Sequence, residues 1–201
     1  MKERGMIFNG EMVRAILDGR KTQTRRPIKW KQTRFTEIGE REDGSKWPWS
    51  EDAEHACDFW HPCPFGAVGD RIWVRETWAR YNIDQNSYDI AYRATTPENW
   101  PEEGRWRPSI HMPRWASRIL LEITNVRVER LNAISQEDAQ AEGMELTGWR
   151  PTYSDPDSGG EVMTPYDNFA ELWSSIYGEG SWKADPWVWV IEFKRIEGGA
   201  A

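Results

Sequence analysis

The segment Asp18-Gly19-Arg20-Lys21-Thr22-Gln23-Thr24-Arg25-Arg26-Pro27 lies directly after the first strong helix signal of the chain. Asn9 is a good N-cap residue, and apolar residues follow it at helical spacing as far as Leu17. Gly19 predicts the end of that helix, because glycine readily adopts the left-handed conformation found after many helices. The quoted segment is therefore a basic helix exit, and it is the first place to look for chemistry.

Lys21 is the candidate catalytic residue of this segment. Neighbouring arginines, Arg20 among them, disfavour the ammonium form and so lower the pKa of the lysine toward a nucleophilic neutral amine. The carbonyl groups at the end of the preceding helix favour the ammonium form instead. The sequence leaves the sign of the net shift open, with a solvated surface lysine as the alternative. The Thr24 hydroxyl is suited either to relaying a proton or to satisfying backbone groups.

Composition predicts one elaborated domain, or at most two small ones, with a genuine core. The chain has 201 residues, a net charge of -7 and 14 Trp residues, so indole rings must provide much of the burial. Residues 1–34 carry ten Lys and Arg against three acids, which leaves a net charge of -14 on the remainder. This asymmetry argues against non-specific coating of long duplexes, which needs many cationic phosphate contacts. It permits one local anion-binding edge or simply a solvated basic face.

Two short H-x-C pairs, His55/Cys57 and His61/Cys63, are the only candidate metal ligands that stand out. Four zinc ligands would have to converge from one tight segment, so we predict no metal and ordinary loop residues, with a zinc site as the alternative. Two cysteines make no disulfide framework, and no apolar run is long enough for a membrane span. A signal peptide is not evident, which favours a cytoplasmic location and no membrane partner.

Strand and helix signals alternate irregularly, which predicts an α+β fold built on a small barrel. Residues 30–69 are polar and irregular, and we expect them to form an insertion without a core of its own. Residues 147–163 form a second loop-like insertion and are the best candidate for mobility. The long strand predicted at 119–130 changes its apolar phase near Thr124-Asn125, which suggests a bulge or bend. The remaining predictions are strands at 71–78, 88–94 and 186–194 and capped helices beginning at Ser135 and Thr164.

Two further segments supply candidate binding residues. Whichever face of the strand at 71–78 is buried, it carries a charged residue with it. A buried charge needs a partner, so Arg75 and Glu76 are a structural ion pair or residues of a cleft. The proline-rich segment 107–118 contributes His111, Trp115 and Arg118, although a lone histidine there is more often structural than catalytic.

The helix exit resembles the signature G-x-K-x-x-E-x-R of the ASCH domain family, which Gly19, Lys21 and Arg26 match. Thr24 replaces the Glu of that signature, as in the bacterial N4-acetylcytidine amidohydrolases of the family, which read G-R-K-T-x-T-x-R. Their catalytic Glu lies in an A-E-x-E-x-M context, and this is similar to residues 139–144 around Glu142. The resemblance implies Lys21, Thr24 and Glu142 as catalytic residues that need no cofactor.

The same resemblance implies a single PUA-like β-barrel domain over residues 1–201, with insertions at 30–69 and 147–163. It implies a cleft for a modified nucleoside or single-stranded RNA, lined by Arg20, Arg26 and the binding residues named above. Segments 69–78, 108–118 and 182–190 are also similar to ASCH proteins of tailed phages and prophages, which implies the host cytoplasm. Two alternatives stay open: a non-catalytic module that binds RNA or modified nucleic acid, and an interaction protein whose long loops meet a protein partner.

Overall fold

The computed structural model describes residues 1–29, 36–52, 57–81, 89–101, 104–145, 147–150 and 161–196. The strands are β1 (Glu3–Ile7), β2 (Gln23–Pro27), β3 (Thr36–Glu40), β4 (Lys46–Asp52), β5 (Cys57–Trp60), β6 (Arg71–Arg75), β7 (Trp78–Tyr81), β8 (Asp89–Tyr92), β9 (Leu120–Arg130), β10 (Thr147–Arg150), β11 (Glu161–Met163) and β12 (Trp187–Ile196). The α-helices are α1 (Gly10–Leu17), α2 (Gln136–Ala141) and α3 (Pro165–Tyr177), and short 3-10 turns span Ser109–His111, Arg114–Ala116 and Leu131–Ala133.

The chain is an α+β protein whose residues group into two compact units. Unit 1 contains the described residues of 1–20 and 64–124 together with those from Phe193 onward, and unit 2 contains those of 21–63 and 125–192. The largest sheet has the hydrogen-bonded order β1-β6-β9-β12-β2, which is an open order rather than a closed barrel within the described residues. None of the helices in the described ranges is long and apolar enough to cross a membrane.

Unit 1 is organised by β6, which pairs in parallel with β1 and antiparallel with the first residues of β9. The predicted alternation of β6 is confirmed, since Ile72 and Val74 are buried while Arg71, Trp73 and Arg75 are partly exposed. Helix α1 begins at the predicted cap, where Asn9 Oδ1 accepts a hydrogen bond of 2.8 Å from the Met12 amide. Gly19, at φ +77°, follows its end as predicted.

Gly5 marks a tight contact between β1 and β6. A Cβ atom at this position would lie 2.6 Å from the Trp73 indole and 2.9 Å from Cδ of Arg75. We therefore expect Gly5→Ala to lower the free energy of unfolding by about 1–3 kcal/mol, measured by urea denaturation. Gly10→Ala is the matched control, because its Cβ would stand 3.6 Å from the nearest atom, an ordinary contact. Equal stability of the two variants would contradict this packing.

Unit 2 buries one face of β12 under helices α2 and α3. The buried residues of this core are Leu131, Ile134, Ala139, Phe169, Trp173, Val188 and Val190. Helix α3 begins at the predicted cap, where Thr164 and Asp167 form a capping box. Phe169 and Trp173 of α3 are buried, whereas Ile176 near the end of the helix is 48% exposed.

The predicted change of apolar phase in β9 is confirmed by its burial pattern. Leu121 and Ile123 are buried, Thr124 and Asn125 are exposed, and Val128 is buried in the opposite phase. The boundary between the two units falls between Thr124 and Asn125.

The prediction that residues 30–69 are irregular was wrong for much of this insertion, where β3, β4 and β5 form an antiparallel sheet. Tryptophans replace the aliphatic residues that normally signal a strand: Trp49 pairs with Trp60 across β4 and β5. Trp47 packs edge-on against the buried Trp189, with ring centroids 5.1 Å apart. In the second insertion, β10 and β11 pair, and the predicted mobile residues 151–160 lie outside the described residues.

Candidate active site

The start of β2 is joined to the end of α2. Helix α2 begins at Ser135, whose side chain accepts a hydrogen bond from the Asp138 amide, and it ends before Gly143 at φ +93°. The Thr22 amide donates to the carbonyl of Ala141 at 2.8 Å. Lys21 and Glu142 form an isolated antiparallel bridge at this point. Two backbone positions 121 residues apart in sequence are thus fixed opposite each other.

Lys21 and Glu142 form a buried ion pair. Lys21 Nζ lies 2.6 Å from Glu142 Oε2 and 2.9 Å from the Glu142 carbonyl oxygen. The two side chains are 0% and 2% exposed, respectively. A short hydrogen bond between two buried, oppositely charged groups favours movement of a proton between them.

The pKa of Lys21 is lowered below its usual 10.5. Burial is the largest cause, because it penalises the charged amine, and the positive charges of Arg26 and Arg25 act in the same direction. The charge and the hydrogen bond of Glu142 oppose the shift without cancelling it. The sequence left the sign of this shift open, and the direction is downward, with desolvation a larger cause than the neighbouring arginines.

Arg25 extends the pair into a network. Its side chain is fully buried, and its Nη2 donates to Asp138 Oδ2 at 2.9 Å and to Glu129 Oε2 at 3.2 Å. Its Nη1 lies 3.4 Å from Glu142 Oε1 and also bonds the Gln23 amide oxygen. Glu142 is therefore held by two cations, one at each carboxylate oxygen.

Sequence reasoning missed the structural role of Arg25 and its partners Gln23, Glu129 and Asp138. Two signals point to them in retrospect. Residues 21, 23 and 25 have the same parity, which places their side chains on one face of an extended segment. Asp138 and Glu142 are four residues apart, which places them on the same face of α2. A second arginine, Arg127, binds Glu129, Asp138 and Glu192 on the outer side of the network.

Thr24 has the opposite parity in β2 and is fully buried. Its hydroxyl oxygen has no hydrogen-bond partner among the described residues. The structure thus joins Lys21 to Glu142 directly and does not hydrogen-bond Thr24 to either of them. The proposed role of Thr24 in proton transfer stays a prediction.

The predicted binding residues in and near the basic segment have partners of their own. Arg20 Nη2 lies 3.1 Å from Asp18 Oδ2 at the surface. Arg26 is partly buried, and its Nη1 lies 3.4 Å from the Arg25 carbonyl oxygen. Arg20 belongs to unit 1, whereas Arg26 belongs to unit 2 with Lys21, Thr24 and Glu142.

Glu76 is buried and paired, but its partner is Arg118 rather than Arg75. Arg118 donates to both Glu76 carboxylate oxygens, at 2.9 and 3.0 Å. The Arg118 guanidinium also lies 4.0 Å from the centre of the Tyr92 ring. Arg75 instead donates to the carbonyl of Ile110 and lies over the Trp73 ring. Glu76 therefore forms a buried ion pair as predicted, but its partner is Arg118 and not Arg75.

His111 and Trp115 lie at the surface of unit 1. His111 is exposed at the end of a 3-10 turn. Trp115 is 56% exposed, and its ring packs edge-on against Trp78 with the Arg80 guanidinium 5.0 Å from its centre. All the predicted binding residues other than Arg26 belong to unit 1.

Only part of the candidate metal-ligand set can be placed. His55 and the Cys57 side chain lie outside the described residues. His61 Nε2 lies 2.9 Å from Ser50 Oγ, and Cys63 is buried. Within the described ranges, no group of three or more His, Cys, Asp or Glu residues is arranged to hold a metal ion.

The network predicts how stability depends on pH through Asp138. Burial raises the pKa of this carboxyl, but hydrogen bonds from Gln23 and Arg25 and the charges of Arg25 and Arg127 outweigh burial and hold the pKa below 3.8. A carboxyl with a depressed pKa contributes stability above its unfolded-state value and loses it as the pH falls through its folded-state value. Between pH 4 and 2, we expect the unfolding free energy of the wild type to fall more steeply than that of Asp138→Asn. The difference in slope corresponds to uptake of up to about one proton, and parallel urea-denaturation profiles would contradict it.

Comparisons of the chain with protein-family models, curated proteins and solved structures found no match.

Proposed function

We propose that this protein is an amide hydrolase that acts on an N4-acylated cytidine or a similar modified pyrimidine, as a nucleoside or within RNA. The observation that carries the proposal is the buried pair of Lys21 and Glu142, 2.6 Å apart. Both residues lie in sequence contexts that resemble the catalytic segments of ASCH amidohydrolases. The likeness also leads us to propose that the α+β fold is derived from a PUA-like barrel. It further leads us to propose that the protein is phage-encoded and acts in the host cytoplasm.

The chemistry of the pair favours activation of water over direct attack by the lysine. Attack by the Lys21 amine on an amide would only form another amide of similar stability. Glu142 is instead suited to take a proton from water while the water oxygen bonds to the acyl carbon. The carbon–nitrogen bond then breaks as Lys21 gives a proton to N4, which the lowered pKa of Lys21 favours. The products are a carboxylic acid and cytidine, and the proton on Glu142 returns to Lys21 across their hydrogen bond.

The remaining roles follow from the position of each group. The positive charges of Arg25 and Arg26 favour the oxyanion that develops on the acyl oxygen. Since Lys21 and Glu142 are buried in this structure, the groups that cover them must move aside when substrate binds. The buried Thr24 hydroxyl in β2 is a further hydrogen-bond donor, besides the Lys21 amine.

The proposal is tested with N4-acetylcytidine, both as a nucleoside and within a short RNA. We expect cytidine and acetate to be released in equal amounts, and chromatography measures both products. Ordinary amides such as N-acetyl-lysine serve as the control and are expected to remain intact. Failure to release cytidine from either substrate would contradict the proposed function.

A second candidate function is the binding of single-stranded RNA or modified nucleic acid without turnover. The exposed Trp115 beside Arg80 favours it, because bases stack on exposed indoles and arginine adds charge. Binding should weaken as salt rises, and Trp115→Ala should weaken it by roughly tenfold. Binding that ignores both changes would contradict this candidate.

A further inference from the structure

Two side chains of the insertion sheet form a nucleophile–base pair outside the Lys21–Glu142 site. Ser50 lies in β4, and His61 directly follows β5. Ser50 Oγ lies 2.9 Å from His61 Nε2, and both residues belong to unit 2. An imidazole within hydrogen-bonding reach of a hydroxyl can take its proton as the oxygen attacks, which is how serine nucleophiles are activated.

The pairing of β4 with β5 brings the two side chains together. Ser50 is opposite Phe59 in the ladder, and His61 has the same parity as Phe59, so the three side chains lie on one face of the sheet. The His61 amide donates to the Pro48 carbonyl at 2.8 Å, which continues the ladder one residue beyond β5. Backbone hydrogen bonds therefore hold Ser50 and His61 as diagonal cross-strand neighbours.

The His61 ring is oriented by an aromatic neighbour. The Phe59 ring meets it edge-on, with an interplanar angle of 81° and ring centroids 4.8 Å apart. This packing restricts rotation of the imidazole and keeps Nε2 towards Ser50. A neutral imidazole with its proton on Nδ1 accepts the Ser50 O–H at Nε2. The pair thus has a nucleophile, a base and a third group that orients the base.

The pair is accessible to a substrate. Ser50 and His61 are each partly buried, and the adjacent Phe59 is 52% exposed, which offers an apolar contact to the acyl or aryl part of a substrate. Among the described residues, no carboxylate hydrogen-bonds the His61 ring, so its protonated form is less stabilised than in a Ser-His-Asp triad. A weaker base of this kind favours substrates with a good leaving group, such as aryl esters, over amides.

We propose that Ser50 and His61 form a second hydrolytic site, which acts on carboxylic esters with a good leaving group. Ser50 Oγ bonds to the acyl carbon while its proton passes to His61 Nε2. The bond from the acyl carbon to the leaving oxygen then breaks, and His61 gives the proton to that oxygen. Water attacks the acyl-serine by the same route, which releases the carboxylic acid and restores Ser50. This site shares no residue with the Lys21–Glu142 pair, so it does not rest on the proposed function.

The test is covalent labelling of the full chain with a fluorophosphonate, located by peptide mass spectrometry. Ser50 Oγ bonds to phosphorus, fluoride leaves and the proton passes to His61, so labelling reports the same activation. We expect a label on Ser50, its loss in Ser50→Ala, and labelling at least about 100-fold slower in His61→Gln. Ser175→Ala is the matched control and should be labelled like the wild type, because the Ser175 hydroxyl donates to the Leu172 carbonyl at 2.7 Å rather than to a histidine.

Turnover is measured as release of 4-nitrophenol from 4-nitrophenyl acetate, with the acetyl group expected on Ser50 when the reaction is stopped early. Thermal unfolding checks that Ser50→Ala and His61→Gln are folded. Two results would overturn the proposal: no label on Ser50 in the wild type, or equal labelling rates of the wild type and His61→Gln. Labelling of Ser50 requires neither Lys21 nor Glu142, so its failure would leave the proposed hydrolysis of N4-acetylcytidine to its own test.

Discussion

Glu142→Gln is expected to reduce kcat for N4-acetylcytidine by about 100- to 10,000-fold, the usual contribution of a general acid or base. Glutamine keeps the size of the side chain and an oxygen within reach of the Lys21 ammonium, 2.6 Å away in the wild type. It cannot take a proton from water. The rate should therefore fall, and thermal unfolding of the same preparation checks that the variant is folded, because the buried Lys21 charge has lost its carboxylate partner.

Glu129→Gln is the matched control for this prediction. Glu129 belongs to the same network through Arg25 and Arg127, but it forms no hydrogen bond with Lys21 within the described residues. We expect its kcat to stay within about threefold of the wild type, since general base catalysis is assigned to Glu142 alone. Equal losses in the two variants would mean that the network acts only as a scaffold.

The second large effect is on stability. Removing one partner of a buried ion pair leaves an uncompensated charge, so Lys21→Met and Glu142→Leu should each cost about 3–5 kcal/mol of unfolding free energy. Replacing both partners by apolar residues is often nearly neutral, and the double variant should be at least about 3 kcal/mol more stable than additivity predicts. Urea denaturation of the wild type, the two single variants and the double variant measures this coupling.

The exposed pair of Lys194 and Glu122 provides the control cycle. Its N–O distance is 2.9 Å, similar to that of the buried pair, but the lysine side chain is 63% exposed. Solvent screens such pairs, and their coupling is expected to be below about 1 kcal/mol. If the buried and exposed pairs gave equal coupling energies, burial would not be what sets the strength of the Lys21–Glu142 pair.

Elements with local signals could be predicted from the sequence. The cap of α1 at Asn9, the capping box of α3 at Thr164 and the phase change in β9 each depend on residues close together in the chain. The insertion sheet could not be predicted in the same way, because its central strand, β4, alternates tryptophan with lysine, proline and serine. Their apolar faces become evident only when Trp47 packs against Trp189.

The candidate site was predictable in its central pair and not in its surroundings. Lys21 and Glu142 are 121 residues apart, and only the resemblance of their sequence contexts linked them. A run of basic residues suggests a solvated face, yet Arg25 is fully buried, because Asp138, Glu129 and Glu142 converge on it. Glu76 was recognised as a buried charge, but no local pattern identifies Arg118, 42 residues away, as its partner.

The hydrolysis of N4-acetylcytidine by the wild type and by Lys21→Ala tests the central claim most directly. We predict release of cytidine by the wild type and a loss of at least about 1000-fold in kcat for the variant, since the proton donor to N4 is removed. Lys194→Ala, which removes an exposed lysine, should retain the wild-type rate. Equal turnover by the wild type and Lys21→Ala would remove Lys21 from the mechanism and contradict the account.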